Sequence, residues 1–157
     1  MRIYVASSWA NKSYPKVVEA LRVAGHDVYD FRTNGFHWND ILDTNLDMLG
    51  QVSPAALDKA LANPKALHHF DDDFEALDTC DACVLVLPSG RSSHLELGHA
   101  AGRNKTTVIL YDGPDSVVVP ELMYLMVDWR VDSIGELVSI LDSPEAQYCA
   151  VKNMRAE

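Results

Sequence analysis

Blocks of apolar residues with two different periods divide the chain. Arg2 to Ala6 carries the unbroken apolar run Ile3-Tyr4-Val5-Ala6, of strand length, and the polar loop Ser7-Ser8-Trp9-Ala10-Asn11-Lys12 follows. From Tyr14 to Ala24 the apolar residues fall at Val17, Val18, Leu21 and Val23, a helical spacing, with Gly25 as its C-cap. His26 to Phe31 predicts a second short strand. Strand, helix and strand with short connections predict a parallel β-α-β unit.

The next stretch is less regular. Thr33 to Trp38 reads as a loop carrying Phe36 and Trp38. Ser53 and Pro54 suit the cap and first position of a helix, which Asn63-Pro64 is expected to stop. Residues 35–67 therefore read as a helical insertion after the second strand, either a lid or a plain surface excursion. His68 to Asp78 predicts a helix with Phe70, Phe74 and Leu77 on one face. Ala82 to Leu87 is a buried strand ended by Pro88, followed by the turn Ser89-Gly90-Arg91-Ser92-Ser93 and a helix from Ser93 to Arg103. Thr106 to Tyr111 is a β-branched strand, and Asp112-Gly113-Pro114 a turn. Pro120 to Met126 predicts a short helix, Trp129 to Val131 a last strand, and Ser133 to Leu141 a closing helix. Five short strands alternating with helices predict an α/β fold. The expectation is one doubly wound domain over residues 1–145, with a five-stranded, mainly parallel sheet of flavodoxin or Rossmann-like type, and a polar tail over 146–157.

Composition narrows the function. The 157 residues suffice for one well-formed core. The sequence lacks the ~20 consecutive apolar residues of a membrane span, and no basic-then-apolar leader precedes the first strand, so a cytoplasmic protein without membrane contact is expected. A net charge of −10 argues against a nucleic-acid polymer as partner, because phosphate neutralisation needs a basic surface. A small phosphorylated ligand held by one or two local cations remains compatible. Cys80 and Cys83 have C-x-x-C spacing, yet Cys83 opens an apolar strand, which favours ordinary buried thiols over a redox pair.

Three places carry candidate chemistry. Glu96 follows the turn between an apolar strand and a helix, the place where open α/β sheets bind ligands and helix amino ends favour anions. Ser93-His94-Leu95-Glu96 also fits a capping box, in which the glutamate bonds back to the cap. Spacing favours the cap, location favours a site, and the two stay open. Asp71-Asp72-Asp73 suits a helix start, but on a helix the three fan out over about 200°, so at most two face one crevice. His68 and His69 beside them point apart on a helix, and no other ligand cluster is visible, so no metal is expected. Tyr4 is either core packing or a hydroxyl reaching the crevice.

These residues carry a resemblance. Ile3-Tyr4-Val5-Ala6-Ser7-Ser8-Trp9, His26-Asp27-Val28-Tyr29-Asp30-Phe31-Arg32 and the stretch Phe70 to Gly102, above all Asp73…Asp81…Glu96-Leu97-Gly98, resemble the nucleoside 2-deoxyribosyltransferase superfamily, which includes nucleotide N-glycoside hydrolases. The resemblance covers most of the chain. It implies that Glu96, in the family's E-x-G motif, is the nucleophile or charge stabiliser, that Asp73 is the acid/base, and that Tyr4 orients the glutamate. Positive charge builds on the anomeric carbon as an N-glycosidic bond breaks, so a carboxylate below that carbon and an acid at the leaving base fit the task. Transferases of the superfamily carry an acidic residue six positions before the glutamate. Here that position is Gly90, between Ser89 and Arg91, which favours a 5′-phosphate over a bare hydroxyl. The hydrolases' arginine in the first loop has no counterpart here, and the tail lacks the aromatic terminus of typical transferases.

Substrate contacts are accordingly expected from Ser7, Ser8, Trp9 and Lys12, from Phe31 and Arg32, and from Ser89, Gly90, Arg91, Ser92 and Ser93. No cofactor is expected. The substrate is a (deoxy)nucleoside or its monophosphate, handled by hydrolysis or base exchange. The alternatives are a non-catalytic nucleotide-binding sensor of the same fold and a nicotinamide dinucleotide glycohydrolase. Family resemblance implies a homodimer or larger homo-oligomer, for which Leu122-Met123-Tyr124-Leu125-Met126 is a candidate interface.

Overall fold

A computed structural model describes residues 1–42, 51–111, 113 and 115–143. Part of the insertion (43–50), Asp112, Pro114 and residues 144–157, which include the whole tail and the third cysteine Cys149, lie outside the described residues.

Five strands, β1 (Arg2–Ala6), β2 (Asp27–Tyr29), β3 (Ala82–Val86), β4 (Thr106–Leu110) and β5 (Trp129–Val131), pair in the order β2-β1-β3-β4-β5. Every pairing is parallel. β3 and β4 are buried at all positions because helices cover both faces, which is why β3 reads as an unbroken apolar run and β4 as a β-branched one, neither alternating with exposed polar positions. The fold is the expected doubly wound α/β sheet.

Side chains leave the strands on alternate faces, and the two faces do different work. Ile3, Val5, Val84 and Val108 point to one side and pack with Val17, Val18 and Leu21 of α1 (Tyr14–Val23) and with Leu137 and Leu141 of α5 (Ile134–Asp142). Tyr4, Ala6, Cys83, Leu85 and Ile109 point to the other, against Leu77 of α3 (Pro64–Thr79) and Leu97 and Ala100 of α4 (Arg91–Gly102). The chain leaves β1 toward β2 on one side and returns to β3 on the other. The loops at the carboxyl ends of β1 and β3 therefore diverge over a crevice.

Several boundaries differ from the sequence expectation. Asn63-Pro64 starts a helix as well as following one: α2 (Pro54–Leu61) ends, Asn63 Oδ1 accepts from the Lys65 amide at 2.9 Å, and Pro64 takes the first position of α3. The insertion thus closes before residue 67. Phe70 and Phe74 do not face the core. They stack on each other at 5.4 Å on the exposed side of α3, which turns Leu77 inward. β2 stops at Tyr29 because Asp30 accepts from the Arg32 amide at 3.0 Å and nucleates a 3-10 turn, Phe31–Asn34, ending at Gly35 with φ 64°. Leu122–Met126 is likewise a 3-10 turn.

Leu137 is wholly buried between the sheet and α1, whereas Leu122 is 76% exposed. Leu137→Ala is expected to lower unfolding stability by about 2–5 kcal/mol, and Leu122→Ala by under ~0.5 kcal/mol, as read by urea denaturation.

Candidate active site

Glu96 owes its surroundings to where α4 begins. The helix starts at Arg91 with Gly90 as its cap residue, and no side chain caps it. Ser93 is therefore inside the helix, and its buried hydroxyl donates to the Ser7 carbonyl at 3.0 Å. The capping box, one of the two readings open for Ser93 to Glu96, does not form. Glu96 sits in the second turn, on the edge of the face that buries Ser93, Leu97 and Ala100.

The glutamate meets Tyr4 there. Tyr4 is 1% exposed, and its phenol donates to the Glu96 carboxylate. Asp73 approaches from α3, one turn before the buried Leu77. Burial first and the Asp73 charge second push the Glu96 pKa up to about 7, against the partial relief of the Tyr4 hydrogen bond. The same burial, with the Glu96 and Asp73 charges, drives the Tyr4 phenol far above its ordinary pKa, so it is always a donor. Tyr4, from the middle of β1, and Asp73 and Glu96, distant in sequence, form one cluster.

Tyr29 is the residue that sequence reasoning missed. It lies directly opposite Tyr4 in the β1–β2 register, and the two rings stack at 5.5 Å with 14° between their planes. Its hydroxyl donates to Asp73 Oδ1 at 2.7 Å. The available signal was positional: Tyr4 and Tyr29 occupy matching places in consecutive parallel strands.

The other expected contact residues fall into two groups. Some fasten the walls to each other. Ser7 Oγ donates to the Val86 carbonyl at 2.8 Å. Arg32 donates to the carbonyls of Ser8 and Asn11 at 2.8 and 2.9 Å, with its guanidinium 4.3 Å from the Tyr14 ring centre. Asn11, not singled out from sequence, adds bonds to the carbonyls of Val86 and Pro88 at 3.2 and 3.1 Å. Tyr14 donates to Asp30 at 2.9 Å, and burial with that bond raises its pKa. The remaining residues line the rim. Trp9, 44% exposed, leans on Phe31 and His37 at 5.2 and 5.1 Å. Lys12, Gly90, Arg91 and Ser92 are exposed. Ser8 Oγ accepts from the Ala10 amide at 3.2 Å. Ser89 Oγ is buried with no hydrogen-bond partner among the described residues.

The insertion touches the same rim. Phe36 packs on Trp38 and on His69 of α3, each at 5.1 Å. A hollow of about 750 Å³ opens between α4 and the Leu122–Met126 turn. It shares Ser89, Gly90 and Arg91 with the rim but is lined by none of Tyr4, Asp73 and Glu96, so volume alone does not mark the chemistry. Cys80 and Cys83 are free and buried, and burial raises both thiols' pKa. Among the described residues, no group of three or more His, Cys, Asp or Glu is placed to hold a metal ion. Among them, too, no helix is long and apolar enough to cross a membrane.

No protein-family model and no curated protein sequence matches the chain. Among solved structures it superimposes on a 2-deoxyribosyltransferase of Bacillus psychrosaccharolyticus with a TM-score of 0.58, at 17% identity, over 88% of this chain and 90% of that one. The two share a fold. A CMP N-glycosidase of Clostridium botulinum, BcmB, aligns at 17% identity over 90% of this chain and 98% of that one, with a TM-score of 0.46.

The raised Glu96 pKa has a consequence for stability. Between its ordinary value of 4.5 and about 7, the unfolded chain's Glu96 has lost its proton while the folded one keeps it. Stability therefore falls as pH rises across that window. Glu96→Gln removes the buried charge and is expected to stabilise the protein at about pH 8 by on the order of 3 kcal/mol. The gain should vanish toward pH 4.5, as urea unfolding at the two ends measures.

Proposed function

We propose that the protein breaks the N-glycosidic bond of a (deoxy)nucleoside or its 5′-monophosphate. The observation that carries this reading is the half-buried Glu96 carboxyl, held by Tyr4 of β1 and facing a second carboxyl, Asp73. The fold shared with a 2-deoxyribosyltransferase supports it, and so does the sequence resemblance at these positions.

Glu96, ionised, attacks the anomeric carbon from the face opposite the base. The carbon–nitrogen bond breaks, its electron pair stays with the base, and Asp73 gives that base a proton. A glycosyl ester on Glu96 remains. Water hydrolyses it with Asp73 taking the proton, or a second base displaces it: the first outcome is a hydrolase, the second a transferase. Tyr4 keeps the carboxylate oriented through both steps.

The turn before α4 favours a phosphorylated sugar. The first amides of α4 point into a turn without a side-chain cap, with the Ser89 hydroxyl, which has no partner among the described residues, beside them and Arg91 following. That is an anion-binding arrangement in which the acidic residue of the transferases would be repulsive. Trp9, with Phe31 and His37 behind it, offers a face for a base to stack on. Copies of the chain are proposed to associate through the exposed apolar stretch Leu122, Met123, Leu125 and Met126, so light scattering is expected to read more than one chain per particle.

Incubation with nucleosides and with their 5′-monophosphates, with and without a free acceptor base, tests the reading by chromatography of the released base. Release from monophosphates alone identifies the hydrolase, and exchange without net release the transferase. Glu96→Ala is expected to remove at least ~1,000-fold of the rate. Because the step needs Glu96 ionised and Asp73 protonated at once, the pair must hold one proton, so kcat/KM should fall as pH rises through about 7, where that proton is lost. Binding without turnover of any nucleoside or nucleotide would instead mark a sensor, and retained activity in Glu96→Ala would overturn the mechanism.

A further inference from the structure

The two carboxyls are held in matching ways. Tyr4 and Tyr29 are register partners on adjacent parallel strands, stacked at 5.5 Å. One phenol donates to Glu96, and the other donates to Asp73 at 2.7 Å. Strand spacing, ~4.8 Å between neighbours, thereby sets the spacing of two donors, and each donor fixes a carboxyl brought in by a different helix. Taking the proposed function as its basis, we propose that Tyr29 is a positioning residue for the leaving-group side: it holds Asp73 in the pose that delivers a proton to the departing base.

The role follows from where charge develops. As Asp73 gives up its proton it becomes a carboxylate, and the Tyr29 hydrogen bond turns from neutral to charge-assisted, roughly doubling in strength. The bond is thus stronger in the transition state than in the ground state, the condition for accelerating a step and not merely tightening binding. Tyr4 works on the sugar side through Glu96. Tyr29 works on the base side through Asp73. Among the described residues, the titratable groups around Asp73 include Tyr29 from β2, Tyr4 from β1 and Glu96 from α4, with His69 one turn earlier on α3.

Leaving-group dependence separates this role from a structural one. Wild type, Tyr29→Phe and Tyr4→Phe are compared as full-length proteins. One substrate is the nucleoside or nucleotide cleaved by wild type, whose base must be protonated to leave. The other is the 4-nitrophenyl glycoside of the same sugar, whose phenolate leaves without a proton. Tyr29→Phe keeps the ring and its stack, and equal melting curves verify the fold. It is expected to lower kcat for the natural substrate roughly 10- to 100-fold with little change in KM, and to leave the 4-nitrophenyl rate within about 3-fold. Tyr4→Phe should slow both. Loss of a donor to the carboxylate raises the acid's pKa, so the alkaline limb of the kcat profile should move to higher pH. In an Asp73→Asn background, Tyr29→Phe should add no further loss. Equal slowing of both substrates by Tyr29→Phe, no slowing of either, or additive losses with Asp73→Asn would overturn the inference while leaving the proposed function standing. Absence of turnover by wild type on both substrates would overturn the proposed function and this inference with it.

Discussion

A carboxylate half-buried beside a second carboxyl repels its neighbour and forgoes part of its water, and Glu96 does both. The surroundings are arranged around that cost. Two phenols supply hydrogen bonds to the two acids, and the parallel pairing of β1 with β2 fixes where those phenols stand. Shifting that register by one residue would send Tyr29 to the opposite face of the sheet, among the residues that pack on α1. The cluster therefore depends on a backbone ladder more than on any contact between the acids.

Polar residues around the crevice divide their work accordingly. Ser7, Asn11, Arg32 and Ser93 bind carbonyls of neighbouring segments, joining the loop after β1 to the end of β3, to α4 and to the turn after β2. A side chain committed to two carbonyls in a half-buried place has little reach for a ligand. On the proposed function, contact with a substrate falls to the rim: the turn Ser89 to Ser92, the aromatic faces of Trp9 and Phe31, and Lys12. Such a division keeps the reacting groups stiff and leaves recognition to residues that can adjust.

What could be read in advance was local or repetitive. Strand runs with no polar interruption announced a sheet covered on both faces, because an open face would have shown alternation. The helical spacing of Val17, Val18 and Leu21 announced the face of α1 that lies on it, and alternating strands and helices left a doubly wound sheet as the economical packing. Residue types at Tyr4, Asp73 and Glu96 were legible as candidates through resemblance, while the capping alternative for Glu96 was equally legible and did not form.

Only the tertiary structure decided between those two. A helix may start at any of several small residues in Ser89-Gly90-Arg91-Ser92-Ser93, and the choice of Arg91 was made by the Ser7 carbonyl, which takes the Ser93 hydroxyl from a segment 86 positions away. The outward turn of Phe70 and Phe74 was decided by the burial of Leu77 against the sheet, which their spacing alone does not reveal. Tyr29 gained its role from strand register, a relation between segments that no spacing along one segment encodes. The sequence by itself determined the layers of this protein and the kinds of group its crevice holds. Long-range pairing determined which group faces which, and the pKa of Glu96 follows from that pairing.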